Sequence, residues 1–327
     1  MKTKWLNGAL ALSVCFGIAQ VAQAQTAMDN GSSTRSAQSA WVTLRLNLKP
    51  GSRYRMTQTS QTKMVMLTPA MSGRPAEKME TSGMVTNVLD YAVLYNNPDG
   101  TMQIRLTYGA MNDNSSIKVN GKTQEIPDTS SISNALLGQS IEMKLSPEGA
   151  GSDVRGIDKI WKKTFAGAKG MTPQMQRQME SGMKQMFGDK FIKNIMHAAG
   201  MAFPENPVRL GQAWYQRIET GGQLPLVVNL RRTLESRDNG VLTIGESGTL
   251  SMGDATKSVA FGPAAMQMAM TGTYSGTTIL DEATGFARSA TLSQRYGGTV
   301  GTKASGKTIS MRMFGLSSTR TSVEQLN

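Results

Sequence analysis

The chain is poor in the side chains that most often carry catalysis. Its 327 residues include one cysteine, Cys15, and one histidine, His197, and only 6% are aromatic. One cysteine cannot form an intramolecular disulfide, and one histidine cannot supply a metal triad or, without a positioned serine, a nucleophilic dyad. We interpret His197 as a structural residue near a helix end. Because no G-x-S-x-G elbow or P-loop occurs, the sequence predicts a non-enzymatic protein without a cofactor.

Long apolar runs are also scarce, and the clearest one is at the N-terminus. Lys2 and Lys4 precede a short apolar stretch, Ala9–Ile18, and small residues then prepare a cleavage between Ala24 and Gln25. This stretch is too short to span a bilayer, and no later segment approaches the length that a spanning helix needs. The sequence therefore predicts a cleaved signal peptide and a mature chain without a transmembrane segment.

A polar stretch, 25–40, follows the predicted signal peptide, 1–24, and is expected to be a disordered linker. A lipoprotein signal ending at Cys15 is the alternative, but Val14 is a poor residue for the position before a lipid-bearing cysteine. If Cys15 is removed with the signal, the mature chain has no thiol. Export without disulfides suits a bacterial periplasm, so we expect a periplasmic or secreted protein.

Acidic residues are fewer than basic ones, 23 against 35, and the net charge is +12. A run of cations lies between Glu282 and Glu324 with no acidic residue among them: Arg288, Arg295, Lys303, Lys307, Arg312 and Arg320. Outside the cytoplasm such a basic surface favours anionic partners, such as phospholipid head groups or lipopolysaccharide. Solvated strand faces, charged for solubility, are the alternative. We expect no nucleic-acid partner, because an exported chain does not meet one and no aromatic-basic motif is present.

Short alternating runs between turn residues predict that strands dominate the fold. In the clearest run, Met102–Tyr108, apolar and polar residues alternate directly after a hairpin turn at Asn97–Gly100. Similar runs fill two strand sets, 41–156 and 208–316. Further turns are predicted at Asn120–Gly121, Asp238–Gly240, Ala283–Gly285 and Gly297–Gly298. The predicted class is mainly β (α+β), with one large curved antiparallel sheet, or two related sheets if the strand sets are a duplication.

A helical rhythm separates the two strand sets, over residues 157–201. Ile157 and Ile160 are spaced for one face of a first helix, and two further helices are predicted before Gly200. We expect this helical insert to pack on the concave face of the sheet. Residues 41–327 are then a single β-rich domain.

Three short motifs are turn and packing patterns. Leu145–Gly149 has the pattern L-S-P-x-G, Pro204–Trp214 has the pattern P-x-x-P-V-x-x-G-x-x-W, and a Thr-Gly turn occurs at Thr284–Gly285. In these motifs the chain resembles an uncharacterised family of secreted or lipid-anchored bacterial proteins with no assigned activity. The resemblance extends from about Trp41 to the C-terminus. It implies a shared fold and is silent on function.

Methionine is abundant, with 24 residues, and takes over much of the core filling usually done by Leu and Phe. One face of the predicted insert carries a methionine stripe with an adjacent aromatic residue: Met175, Met179, Met183, Met186 and Phe187. The predicted strands carry methionine rows: Met266, Met268, Met270, Met311 and Met313. These rows can face the stripe across a filled core, or the two can line an apolar cavity.

The function predicted from this pattern is that of a non-enzymatic envelope or periplasmic protein. It would bind an apolar ligand, such as a lipid or acyl chain, or a protein partner between the sheet and the helices, because methionine-lined cavities are deformable. A copper-binding protein is one alternative, since the closely spaced thioethers of the stripe can bind Cu(I). An enzyme of unrecognised type is the other.

Overall fold

A computed structural model describes most of the chain after residue 40. The described residues are 41–70, 75–124, 134, 136–166, 203–219, 226–252, 258–261, 264–304 and 307–326. The strands of the first half are β1 (Arg53–Thr68), β2 (Glu77–Asn96), β3 (Met102–Val119), β4 (Lys122–Gln124), β5 (Ser140–Leu145) and β6 (Gly151–Arg155). Helix α1 (Ile157–Ala166) follows. The strands of the second half are β7 (Ala213–Glu219), β8 (Leu226–Asp238), β9 (Val241–Met252), β10 (Ser258–Phe261), β11 (Ala264–Asp281), β12 (Ala287–Ala304) and β13 (Lys307–Leu326).

All of these strands belong to one antiparallel sheet of 13 strands. Its order is β6-β5-β3-β2-β1-β13-β12-β11-β9-β8-β7, with β4 beside β3 and β10 beside β11. The first and last strands therefore pair at the middle, from Arg53 opposite Leu326 to Leu67 opposite Arg312. The two edges, β6 and β7, do not pair, so the sheet is open. The predicted antiparallel β architecture is confirmed, with one sheet rather than two.

Alternation of side chains gives the sheet a buried and an exposed face. On β13 every second residue from Met311 to Thr321 is buried, and the residues between them are exposed. This is the period of two that a strand imposes. We call the buried side of the sheet the inner face and the other side the outer face. The hairpins follow the predicted turn chemistry, because Asn120 and Gly121 have φ angles of 48° and 79°, the left-handed values that a tight turn requires.

A large apolar cluster, the core cluster, fills one end of the inner face. Its buried members are Val42, Leu44, Leu46, Leu48, Tyr54, Val93, Met102, Ile104, Leu106, Ile141, Met143, Leu145, Ile157, Ile160, Phe203, Val208, Leu234, Leu242, Ile244 and Leu280. These residues come from strands of both halves, from helix α1 and from an extended segment, residues 41–50, which we call the entry segment. The entry segment is extended and alternates in burial over residues 41–48, and Val42 forms a β-bridge with Val208.

The predicted helical insert is described only at its start. Helix α1 begins at Ile157, as predicted, and Ile157 and Ile160 lie in the core cluster. The rest of the insert, 167–201, lies outside the described residues, so a helical layer on the concave face is not supported by them. Among the described residues no helix has the length and hydropathy needed to cross a membrane.

Two strand boundaries differ from the prediction. The turn predicted at Gly297–Gly298 is wrong, because both glycines lie inside β12. A β-carbon at Gly298 would overlap the carbonyl of Ala269 on β11, so glycine here allows close approach of two strands and not a reversal. The last strand also continues to Leu326, beyond the predicted end of the strand set at 316, because it pairs with β1 along its length.

Candidate functional site

The structure places four of the predicted site residues on the inner face and brings them together. Met268 and Met270 on β11 and Met311 and Met313 on β13 are at most 8% exposed and belong to one apolar cluster. Met266 lies on β11 opposite Thr302, and its side chain is not described. The predicted stripe lies outside the described residues: Met175, Met179, Met183, Met186 and Phe187. His197 lies outside them as well.

This second apolar group, the methionine cluster, is larger than the predicted strand rows. Its buried members are Met64, Met66, Leu250, Met252, Met268, Met270, Tyr296, Val300, Met311 and Met313. Met64, Met66 and Met252 were not among the predicted site residues. The missing signal was strand register, because Met66 lies opposite both Met313 on β13 and Met79 on β2. These methionines of the strands therefore pack in one cluster.

The two clusters differ in what packs against them. The core cluster contains residues of the entry segment, of helix α1 and of the loop that carries Phe203 and Val208. Within the described residues, every member of the methionine cluster comes from a strand of the sheet. The methionine cluster is thus an apolar patch on the inner face of the sheet.

Buried polar residues lie between the two clusters on the inner face, together with a smaller apolar group, Ile218, Leu230, Tyr274 and Leu292. We call the polar residues of this region the polar belt: Gln58, Ser60, Gln216, Arg232, Glu246, Tyr274, Thr278 and Thr319. On β1 the belt residues Gln58 and Ser60 lie between Met56 and Met64, and all four are at most 4% exposed. The hydroxyls of Ser60 and Thr319 share a hydrogen bond of 3.0 Å. Burial of so many polar groups requires internal partners.

An ion pair within the belt joins strands β8 and β9. Arg232 Nε is 3.4 Å from Glu246 Oε2, and the two side chains are 5% and 8% exposed. Arg232 Nη1 donates to Gln216 Oε1 at 2.8 Å, and Thr278 Oγ1 donates to Glu246 Oε1 at 2.9 Å. These bonds link β7, β8, β9 and β11. They hold two opposite charges in a site from which water is largely excluded.

Several hydrogen-bond donors of the belt are buried without an acceptor among the described residues. Gln58 Nε2, Gln216 Nε2 and the Tyr274 hydroxyl are buried and have no hydrogen-bond partner among the described residues. Burial, and then the charge of Glu246, raise the pKa of Tyr274, while burial raises the pKa of Tyr296 to about 12. Both phenols are therefore neutral near physiological pH. Buried donors without an acceptor, next to an apolar surface, can bind the polar end of an amphipathic molecule.

Two shallow clefts lie on the outer face. One, of about 430 Å³, is lined by hydroxyl residues with Arg231, Glu235 and Arg320. The other, of about 290 Å³, is lined by Lys63, Arg295 and Leu316, among others. Within the described residues no group of three or more His, Cys, Asp or Glu side chains could hold a metal ion.

The three sequence motifs meet at the entry segment. Leu46 donates its backbone N–H to the carbonyl of Pro147 at 2.7 Å, and Asn47 donates to that of Thr284 at 2.8 Å. The two motifs come from the β5–β6 hairpin and the β11–β12 turn, which belong to opposite halves of the sheet. The entry segment thus joins the two halves at this end.

Arg45 connects the remaining motif, Pro204–Trp214, to the entry segment. Its guanidinium donates to the carbonyls of Pro204 and Glu205, both at 2.7 Å, and forms an ion pair of 3.2 Å with Glu148. A β-carbon at Gly285, where φ is +65°, would overlap the carbonyl of Arg45, so glycine is required there. The motifs therefore specify a structural junction of the core cluster.

A family of proteins matches the part of the chain that carries these motifs. The profile of DUF6263, described as a family of unknown function, matches residues 99–287, which is more than half of the chain. The chain belongs to the DUF6263 family. The family region contains the three motifs and ends at Ala287, the first residue of β12. No curated protein matches this DUF6263 chain.

Solved structures offer only distant similarity to this DUF6263 protein. A structure of lipid–protein interactions in lipovitellin is 10% identical to this chain, with a TM-score of 0.42. The match covers 85% of this chain and 25% of that one. The outer membrane protein AlkL is 8% identical, TM-score 0.22, covering 91% of this chain and 98% of that one. OccK7 (OpdD) of Pseudomonas aeruginosa is 6% identical, TM-score 0.23, covering 85% and 100%. Similarities at these TM-scores do not establish a common fold, and the chain spans only a quarter of the lipovitellin chain.

Proposed function

We propose that this DUF6263 protein is a non-enzymatic, exported envelope protein that holds an apolar ligand, such as an acyl chain, against the methionine cluster. The observation that carries the proposal is an apolar patch on the inner face that is built mainly of methionine and distinct from the core cluster, with residues of the polar belt between the two. A pattern of lysines, a short apolar stretch and small residues before Gln25 supports export.

Methionine suits this role because of its side chain. Three rotatable bonds and a polarizable thioether let it repack around ligands of different shape at low cost. Met64, Met66, Met268, Met270 and Met313 come from three strands, and each is at most 9% exposed. Side-chain rearrangement of these residues, without movement of the sheet, opens the contact surface that an acyl chain needs.

The neighbouring belt favours an amphipathic ligand over a purely apolar one. Gln58 and Tyr274 lie toward the core cluster from Met64 and Met270, on the same inner faces of β1 and β11. Their leftover donors, Gln58 Nε2 and the Tyr274 hydroxyl, are placed to bind a carboxylate or ester oxygen. A fatty acid lying along the strands would place its acyl chain against the methionine cluster and its carboxylate beside Gln58 and Tyr274. The copper alternative rests on the stripe at 175–186, outside the described residues, and gains no support here.

The experiment combines lipid analysis with a binding titration. We expect mass spectrometry of the purified chain to detect co-purifying lipid, and a fluorescent fatty acid to bind. Met270→Gln and Met313→Gln should each weaken binding about tenfold, because an amide would be buried against the acyl chain. Met84→Gln is the matched control, since Met84 is 45% exposed on the outer face of β2.

The fold must be intact for the comparison to count, so circular dichroism and thermal unfolding accompany each variant. Lipid-free wild-type protein that gives no response to the fatty acid would overturn the proposal. Equal weakening by Met84→Gln and Met270→Gln would also overturn it, because the effect would not come from the methionine cluster.

A further inference from the structure

The outer face of the two central strands carries exposed apolar side chains. Phe314 and Leu316 on β13 are both 52% exposed, and Leu67 on β1 is 38% exposed. Val65 lies directly opposite Phe314 across the strand pair, and the ring of Phe314 lies over Gly297 of β12. We call Val65, Leu67, Phe314 and Leu316 the outer patch. Exposed aromatic and aliphatic side chains grouped in this way mark interaction surfaces.

Cations border the outer patch at each side. Lys63 and Arg295 lie opposite Leu316, on β1 and β12 respectively. Arg312 lies opposite Leu67. All three cations are exposed. The patch and its cations therefore alternate on three adjacent strands.

Carboxylates are sparse around the outer patch. On β12 and β13 no acidic residue occurs between Arg288 and Arg320. Glu80, on β2, lies opposite Val65, but it forms an ion pair of 2.7 Å with Lys78. The surroundings of the patch are therefore positively charged, which selects an anionic occupant.

A cleft beside the patch has room for a head group. It measures about 290 Å³ and is lined by Lys63, Arg295 and Leu316 together with Gln61 and Ser293. Cations and hydroxyl donors suit a phosphate group. An apolar residue in the same cleft suits the glycerol and upper acyl region of a lipid.

We infer that the outer patch docks on the surface of an anionic phospholipid bilayer. Phe314 and Leu316 enter the boundary between head groups and acyl chains, while Lys63, Arg295 and Arg312 bind lipid phosphates. Basic residues near an anionic leaflet and apolar side chains in the interface act together in membrane-surface binding. The inference rests on the outer face and does not depend on a ligand at the methionine cluster.

The test is co-sedimentation of the purified chain with vesicles. One set is phosphatidylcholine alone, and in the other about a quarter of the lipid is phosphatidylglycerol. We expect binding only to the anionic set, and its loss as the salt concentration rises. Replacing Lys63, Arg295 and Arg312 together by Gln should weaken binding about a hundredfold, at about fivefold per cation. Phe314→Ser should weaken it about tenfold.

Matched controls remove the same chemistry from positions that do not border the outer patch. A triple Lys159→Gln, Lys162→Gln, Arg231→Gln variant removes the same charge from exposed positions on α1 and β8. Tyr215→Ser removes an aromatic ring that is 75% exposed on edge strand β7. Neither control should change vesicle binding by more than about twofold.

Three results would overturn the inference. Equal binding to both vesicle sets would remove the role of the cations. Equal weakening by the control triple and the patch triple would show an effect of net charge alone. Light scattering without lipid that finds a wild-type oligomer, dissociated by Phe314→Ser, would assign the patch to contact between copies of the chain.

Discussion

The two apolar clusters of the inner face differ in composition as well as in position. Seven of the ten buried residues described in the methionine cluster are Met, against two of twenty in the core cluster. The core cluster consists mainly of branched and aromatic side chains with defined rotamers, and the three sequence motifs contact its entry segment. Defined packing specifies one fold, whereas methionine adapts to its neighbours. One end of the inner face therefore has the defined packing that specifies the fold, and the other end has side chains that can repack.

The largest expected effect concerns the polar belt between the two clusters. Arg232→Met should lower the free energy of unfolding by about 3–5 kcal/mol, because it leaves the charge of Glu246 buried without its ionic partner. Urea unfolding measures the change. Replacing both residues, Arg232→Met with Glu246→Gln, should restore most of the stability. A double variant as unstable as the single one would mean that the belt acts through packing and not through charge.

A truncation made in each cluster tests the comparison directly. Leu234 is fully buried in the core cluster, and Met313 is 1% exposed in the methionine cluster. Leu234→Ala should cost about 4 kcal/mol of unfolding free energy, near the upper end for such truncations, because rigid neighbours leave a cavity. Met313→Ala should cost about 2 kcal/mol, since flexible thioethers can refill the space. Equal costs in urea unfolding would contradict the idea that the second cluster is the more adaptable.

The smallest expected effect is a pH dependence at the junction. The Arg288 guanidinium bound to Asp281 is the main cause that holds the pKa of that carboxyl below its ordinary value, and Thr284 contributes. A lowered carboxyl pKa stabilises the fold at pH above about 4, and this stabilisation is lost as the pH falls through the lowered pKa.

Asp281→Asn should therefore cost about 1 kcal/mol at pH 7 and close to nothing below the lowered pKa. Thermal unfolding of both chains across the acid range measures the difference. Binding of the fatty acid at the methionine cluster should not change in this variant, because Asp281 lies at the β11–β12 turn, at the other end of β11. A stability difference that stays constant down to the lowest pH would contradict the ionic explanation.

Much of the sheet follows from local sequence. The turns at Asn97–Gly100, Asn120–Gly121 and Asp238–Gly240 and the alternation on β3 depend on residues close together in the chain. Local patterns also give the start of helix α1 at Ile157. Strand existence and turn position are local properties, so one sequence suffices for them.

The candidate site depends on pairing across the sheet, which a single sequence does not contain. Met64 and Met66 join the cluster because β1 pairs with β13, and nothing local to either strand encodes that register. The ion pair of Arg232 and Glu246 likewise joins strands whose sequences show an ordinary cation and an ordinary acid. Gly297 was assigned to a turn because close approach between strands and chain reversal both favour glycine.

The pairing of the first and last strands has a consequence for how the chain acquires its structure. Strand β1 contacts β13 along its whole length, although almost the entire domain separates them in sequence. Closing so distant a contact is slow, because loop entropy opposes it until late in folding. Until β13 arrives, β1 and β12 are unsatisfied edges that invite pairing with other chains. A chain that emerges from the ribosome N-terminus first would expose these edges until β13 appears, and it would benefit from a holding chaperone for that interval.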